Sequence, residues 1–475
     1  MKLSLLKKAV FLNFISKYTI VFSNLFFSAL FARILTPDDY GVVSIVTVFT
    51  NFFTMMGSIG IGPAVIQNKE LSKKDENSIF SMTVYFGLVL AILFSIFSIL
   101  MVRIYENPVY YTICFLLSIS ILFNTMNMVP NSLLLKEKQF KKVTVRDISV
   151  TMGSNILTLI MALLGFKYYA LVIQSILYSV MLFIWNYKEA NVKFSLRCEL
   201  ESVKKIWKFS SFQFAFEFVN YFSRNMDKML IGKLLGNVEL AYYDKGYKLT
   251  QYPVSNLSSV ITPTLHPILS DHQNDKKYIY DKCIRILKFL SILGVFVTAF
   301  CIFASKELVL IVFGKQWVNS IIVFKWLSIS IWSQMLCSSA GAIYQSLGKT
   351  KEMFITGIVN TGIVVLSIII GINMGSIGAV AFFVGVGYLI NFVVSFGILI
   401  LRGFQYSFWN FVKEFIVDFL NFAILLIVML IYPINISNLI ASFIVKLIVL
   451  GICYLILLVI SKKLKFLLSF FHLRK

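Results

Sequence analysis

Acidic residues are scarce in this chain: 22 aspartates and glutamates stand against 44 lysines and arginines, and only 14% of the 475 residues are charged. A soluble domain carries about 25% charged residues, so a soluble globular fold is excluded at the outset. So few acids also leave little material for paired-carboxylate or metal chemistry. Histidine and proline are rarer still, at three and eight. Two of the histidines, His266 and His272, border one polar connection without partners at ligand spacing. The six cysteines (Cys114, Cys198, Cys283, Cys301, Cys337 and Cys453) are scattered, mostly inside apolar runs. No CxxC or metal-ligand spacing occurs among them, so neither a disulfide framework nor a zinc site is expected. Long polar stretches are missing as well. No connection between apolar runs exceeds about twenty residues, which leaves no room for an extramembrane catalytic domain.

What the chain has in abundance is hydrocarbon. Hydrophobic residues make up 58% of it, with 46 phenylalanines. Apolar runs recur from end to end, the pattern of an all-α polytopic membrane protein. Hydropathy places about fourteen spans, near 9–34, 41–66, 78–102, 108–133, 145–165, 168–187, 207–232, 240–266, 283–305, 318–345, 353–373, 376–400, 414–432 and 437–460. The N-terminal stretch MKLSLLKKAVFLNFISKYTI is basic and then apolar, like a signal peptide, but lacks a small-residue cleavage site. It is read as a retained first span.

A net charge of +22 could point to nucleic acid, but the distribution says otherwise. Basic residues come in short clusters on every second connection. With these boundaries one side of the membrane holds 31 of the 44 lysines and arginines. The other holds six: Arg33, Arg103, Lys167, Lys233, Lys306 and Lys315. The bias predicts an even number of spans and both termini in the cytoplasm. The clusters read as topology signals beside anionic lipid, not as a nucleic-acid surface.

An offset of 200 positions pairs the first two spans with the seventh and eighth. Arg33-Ile34-Leu35 falls on Lys233-Leu234-Leu235, Asp39 on Glu239, Gly41 on Ala241, and Ile61-Gly62-Pro63 on Ile261-Thr262-Pro263. Polar and proline positions are rare here, so their coincidence indicates a duplication. The paired spans are six apart, an even number, which makes the halves parallel repeats, and such repeats usually hold substrate between them. Three regions follow: a lobe of six spans (1–205), a second lobe of six (206–400), and two further spans with a basic tail (401–475).

Ionic residues inside spans mark the candidate site, since each costs about 2.5–3.5 kcal/mol at the membrane centre. Gln213, Glu217, Asn220, Arg224, Asp227 and Lys228 share about 100° of arc on the seventh span. Span one presents Asn13, Lys17, Asn24 and Ser28; span two Thr47, Thr50, Asn51, Thr54 and Ser58; span eight Asp244, Lys248, Gln251, Ser255 and Ser258. The duplicated pairs are expected to line one wet chamber, with Lys17 near Glu217 and with Arg224, Lys228 and Lys248 forming a cationic zone. Arginine and lysine suit phosphate oxygens, whereas a purely structural ion cluster holding two helices together is the alternative. Lys325 either lines the chamber or snorkels outward. Lys446 stands alone in the last span and is read as snorkelling or meeting a lipid headgroup. Glu414 and Asp418 sit in the first turns of a helix, where its dipole favours acids. Asn124, Asn127 and Asn131 form a stripe on span four that suits a cavity or interhelical hydrogen bonds. In LTPDDYG (35–41), Thr36, Pro37 and Asp39 match a capping box for the second span.

FARILTPDDYGVVSIVTVF in spans one and two, RNMDKMLIGKLLGNVELAYYDKGYKLTQYP in seven and eight, and YQSLGKTKE after span ten resemble bacterial polysaccharide-repeat-unit flippases. These belong to the multidrug/oligosaccharidyl-lipid/polysaccharide exporter superfamily. The resemblance implies two six-helix lobes in a V shape, and alternating access that carries an undecaprenyl-pyrophosphate-linked oligosaccharide across the bacterial cytoplasmic membrane. It implies a lipid-linked substrate, membrane lipids, and polymerase and glycosyltransferase partners in O-antigen, capsule or exopolysaccharide synthesis. It requires no cofactor, metal or nucleic acid. In such proteins cavity cations bind the pyrophosphate, a role open here to Lys17, Arg224, Lys228 and Lys248. The alternative is a cation-coupled small-molecule or multidrug exporter of the same superfamily, for which Glu217 and Asp227 are the candidate carboxylates. An integral-membrane enzyme is disfavoured by the shortage of acids and the short loops.

Overall fold

A computed structural model describes residues 2–58, 61–68, 70–196, 221, 225–258, 275–434 and 436–471. All regular secondary structure among the described residues is helical, the only open-ended form whose backbone is satisfied without water. Among the described residues helices occupy part of every predicted span; of the seventh the description covers Tyr221 and residues from 225 onward. Among the described residues eight helices are long and apolar enough to cross a membrane, or nine if one bent pair counts as a span. The protein is a multi-pass membrane protein. The chain divides into two compact units, Met1–Ala241 and Tyr242–Lys475. The lobe boundary expected near residue 205 falls outside the described residues.

In the first unit, α1 (Lys2–Ile34) turns sharply into α2 (Pro37–Ser58). The turn is the expected capping box. The Thr36 backbone N–H donates to Asp39 Oδ2 at 2.9 Å, and the Asp39 N–H returns to Thr36 Oγ1 at 3.2 Å. Pro37 takes the first helical position, where no N–H is needed. A short α3 (Ile61–Gln67) precedes α4 (Lys73–Tyr105), which opens on a second capping box, Ser72 with Asp75. Next, α5 (Val109–Met126) and α6 (Met128–Lys136) form one interrupted span. The break follows Met126, four residues before Pro130, whose ring would clash with that helix carbonyl. Then α7 (Phe140–Leu163) packs on α1 and on α8 (Tyr168–Ala190). Residues 225–234 form α9, whose Gly232 lies against Ile45 of α2. An apolar core of Ile61, Val65, Ile79, Phe80, Val129, Leu133 and Phe183 knits α3, α4, α6 and α8 together.

The second unit takes up α10 (Asn237–Ser258) from Tyr242 onward, followed by the long α11 (Lys276–Phe303) and the short α12 (Ser305–Val312). The tenth span is broken into α13 (Ser320–Ser328), α14 (Ile331–Cys337) and α15 (Ala340–Ser346), with a 53° bend after α13. At the bend, the buried hydroxyls of Ser328, Ser330 and Ser333 donate to the carbonyls of Phe324, Leu327 and Ser330 at 2.6, 2.7 and 2.9 Å. Such back-bonding bends helices. The following pair, α16 (Thr350–Asn373) and α17 (Ile377–Ile398), packs closely. A Cβ on Gly371 would lie 2.4 Å from the Val380 Cα.

The last two spans, α18 (Ile416–Ile431) and α19 (Leu439–Ile460), are tied to α11 and α12 by buried ions. This corrects the reading of Lys446 as a solitary, snorkelling lysine. Its ammonium lies 2.8 Å from Glu307 Oε1 and 2.9 Å from the Phe303 carbonyl, and Ser442 donates to the same carboxylate at 2.7 Å. Asp418 does lie in the first turn of α18, but its main partners are tertiary: Lys463 at 2.6 Å and the Ser291 hydroxyl at 2.8 Å. Glu414 pairs with Lys288. A period count locates such residues on a helix face, but the partner that stabilises them is more than a hundred positions away in most of these pairs.

Candidate functional site

Within the first unit five helices enclose a cavity of about 570 Å³. From α2 come Thr47, Thr50, Asn51 and Thr54, at spacings of three, one and three, which place them on one stripe. Asn24 projects from α1 beside Ile20, and α5 adds Leu117, Ser120 and Asn124. The far wall is α7, with Asp147, Thr151, Ser154 and Asn155, and α8, with Gln174, Ser175 and Tyr178. Apart from Ile20 and Leu117, every lining side chain carries a hydroxyl, an amide or a carboxylate.

Much of this polar surface is already organised. Thr47 and Thr50 return their hydroxyls to the Val43 and Val46 carbonyls at 2.7 and 2.9 Å. The Gln174 amide donates to Asn155 Oδ1 at 2.5 Å, and Asn155 in turn faces Asn24 Oδ1 at 3.5 Å. Three helices are thus joined through amides. Asn124 donates to Ser120 Oγ at 3.2 Å, and Ser120 to the Ser175 carbonyl at 3.2 Å.

Behind the cavity lies Arg146, only 4% exposed. Its guanidinium donates to Asp147 Oδ1 at 2.9 and 2.6 Å, to Asn131 Oδ1 at 2.9 Å and to Asn186 Oδ1 at 2.6 Å. Asn186 donates onward to Asn127 Oδ1 at 2.7 Å. The Asn124/Asn127/Asn131 stripe therefore splits: Asn124 faces the cavity, while Asn127 and Asn131 serve contacts between helices. Arg146 compensates the one carboxylate among the described lining residues, so this lining is close to neutral. Among the described residues no cluster of three or more His, Cys, Asp or Glu could hold a metal.

Of the site expected from the sequence, Asn24 and Asn51 line this cavity. Lys17 lies on α1 with its side chain exposed and outside the lining. Gln213, Glu217, Asn220 and Arg224 lie outside the described residues. Asp227 is buried, and its Oδ1 accepts the Lys228 backbone N–H at 2.8 Å. In the second unit Lys248 pairs with Asp244 one turn earlier at 2.7 Å, and Gln251 donates to Gln334 at 2.9 Å. Lys325 is exposed, its ammonium 5.9 Å from the Trp326 ring centroid. Ser328 and Trp332, farther along the same broken span, are buried, and Trp332 Nε1 donates to Ser291.

Sequence reasoning missed the wall made by α7 and α8. A signal was present: Asp147, Thr151 and Asn155 are spaced by four, as are Gln174 and Tyr178. It also passed over Lys245, which is 1% exposed and lies 4.9 Å from the Phe313 ring and 5.1 Å from the Trp317 ring. That geometry is a desolvated cation–π contact.

Known proteins share this architecture. An inward-closed structure of the lipid II flippase MurJ superposes with a TM-score of 0.77 at 16% identity, covering 96% of this chain and 99% of that one. An inward-facing MATE-family multidrug transporter of the MOP superfamily gives 0.63 at 12% identity, covering 82% and 95%. In sequence, the lipopolysaccharide biosynthesis protein WzxC of Escherichia coli (strain K12) is 22% identical over 382 residues, 78% of this chain and 75% of that protein. The teichuronic acid biosynthesis protein TuaB of Bacillus subtilis (strain 168) is 21% identical over 375 residues, 77% and 76%. The family model described as "Polysaccharide biosynthesis protein" matches residues 30–322, more than half of the chain. With its all-helical membrane fold and its polar cavity, this chain belongs to the polysaccharide biosynthesis protein family.

Proposed function

We propose that the protein is a flippase. It carries polyprenyl-diphosphate-linked oligosaccharide units from the cytoplasmic to the outer leaflet of the bacterial cytoplasmic membrane, by alternating access, for assembly of a surface polysaccharide. Family membership carries this reading, and the cavity supports it. A polar recess of about 570 Å³ among apolar spans is costly unless a polar cargo uses it. The protein acts as a transporter on this reading, and the lining's carboxylate, Asp147, is already engaged by Arg146. Lys17, Arg224, Lys228 and Lys248 are the candidates for the diphosphate, with Gln213, Glu217, Asn220, Asp227, Gln251 and Lys325 as further residues to test. Both termini lie in the cytoplasm on this reading, from the lysine distribution. A polymerase and glycosyltransferases would work beside it.

Reconstitution tests the proposal directly. Proteoliposomes holding a fluorescent lipid-linked oligosaccharide should expose it to an impermeant quencher faster than protein-free vesicles do. Equal rates would overturn the proposal. The likeness to MATE transporters favours one second reading, a cation-coupled exporter of small molecules. Drug efflux driven by a sodium or proton gradient, without movement of the lipid, would select it.

A further inference from the structure

The cavity of the first unit differs from the cationic site that a diphosphate calls for. Among the described residues its lining holds no lysine or arginine, and its one charge, on Asp147, is offset by Arg146 behind it. A diphosphate brought there would lose its water and gain no cation in the lining. What the lining does offer is neutral and two-sided. Asn24, Asn51, Asn155 and Gln174 each carry both an amide donor and a carbonyl acceptor. The hydroxyls of a sugar ring have the same dual character, so each ring hydroxyl can be met by a donor and an acceptor. Tyr178 adds an apolar ring face beside a hydroxyl, the combination that covers the C–H face of a pyranose. The volume, about 570 Å³, lies within the range of small-ligand sites. The amides are also held in place beforehand, through Gln174 to Asn155 and from Asn155 toward Asn24. Fixed partners of this kind lower the ordering cost of binding.

We propose that this cavity is a saccharide subsite, which takes uncharged sugar residues of the headgroup and leaves the diphosphate to cations elsewhere. The proposal rests on the flippase reading and adds to it which part of the cargo this wall recognises.

The test uses one preparation of lipid-linked saccharide, extracted from cells that make the protein. Mild acid splits part of it into free saccharide and sugar-free polyprenyl diphosphate. Binding of the intact lipid and of the sugar-free lipid is measured by thermal shift on the purified full-length protein, on Asn51→Ala and on Gln174→Ala. Asn51 is exposed to the cavity, so its truncation leaves the fold intact even if Gln174→Ala weakens it. The wild type should bind the intact lipid more tightly than the sugar-free one. Each variant should lose about two- to tenfold for the intact lipid, the value of one neutral hydrogen bond, with the sugar-free affinity unchanged. Equal loss for both lipids, or no loss for either, overturns the subsite while leaving the flippase reading in place. Failure of the wild type to bind either lipid overturns both.

Discussion

Lys446 and Glu307, 139 positions apart, meet at 2.8 Å with the carboxylate almost wholly buried. Removing one partner leaves an uncompensated charge, which costs about 3–5 kcal/mol. Lys446→Ala should therefore lower the thermal unfolding midpoint far more than the double variant Lys446→Met/Glu307→Gln. If the two changes cost the same, the pair is not what fixes α19 to the rest of the unit.

The same carboxylate, outside the spanning helices, sets an acid limit on stability. Burial pushes the Glu307 pKa up, but hydrogen bonds from Lys446 and Ser442 outweigh it and hold it below the usual 4.5. With the folded value depressed, the stabilisation is present above 4.5 and is lost as pH falls through the lower folded value. Unfolding midpoints recorded down that range should drop less steeply for Glu307→Gln than for the wild type.

Arg146 is predicted to hold the back of the cavity. Arg146→Met leaves the Asp147 carboxylate, partly exposed to the cavity, without its cation and breaks the bonds to Asn131 and Asn186, so a loss of about 1–3 kcal/mol is expected. Adding Asp147→Asn should recover part of it. A double variant no more stable than Arg146→Met would show that the asparagine bonds dominate, and not the ion pair.

At the start of α2, Thr36→Ala removes a cap worth about 1 kcal/mol. Asp39→Ala should cost more, because Asp39 Oδ1 also accepts the Tyr168 backbone N–H at 3.1 Å and so caps α8. Equal losses in thermal unfolding would contradict this second role.

Gly371→Ala tests the α16–α17 contact. The new methyl would sit 2.4 Å from the Val380 Cα, so the helices must separate, at about 1–3 kcal/mol. Gly357→Ala, with open space around it, is the control and should be neutral or slightly stabilising.

The sequence made the helices and one wall of the cavity legible because both are local. Thr47, Thr50, Asn51 and Thr54 repeat with the helix period, and apolar run length marks the spans. The capping box at Thr36 and Asp39 needs only four residues. The opposite wall needed tertiary knowledge: the spacing of Asp147, Thr151 and Asn155 by four puts them on one face, which becomes a cavity wall only because α7 packs on α1 and α8. Lys446 was misread for the same reason. A helix period tells which side a residue occupies, but the neighbour on that side is set by packing among distant segments.

A recess lined by amides and hydroxyls holds water, which has a consequence for the electric field. Water carries little of a voltage drop, so the potential across the bilayer falls mainly over the dry layer that remains beside the recess. An anionic headgroup crossing that thinner layer feels a steeper gradient than it would in intact hydrocarbon, at about 2.3 kcal/mol per charge for each 100 mV. The neutral lining thus lets the membrane potential act on the cargo without a charge of its own to oppose it.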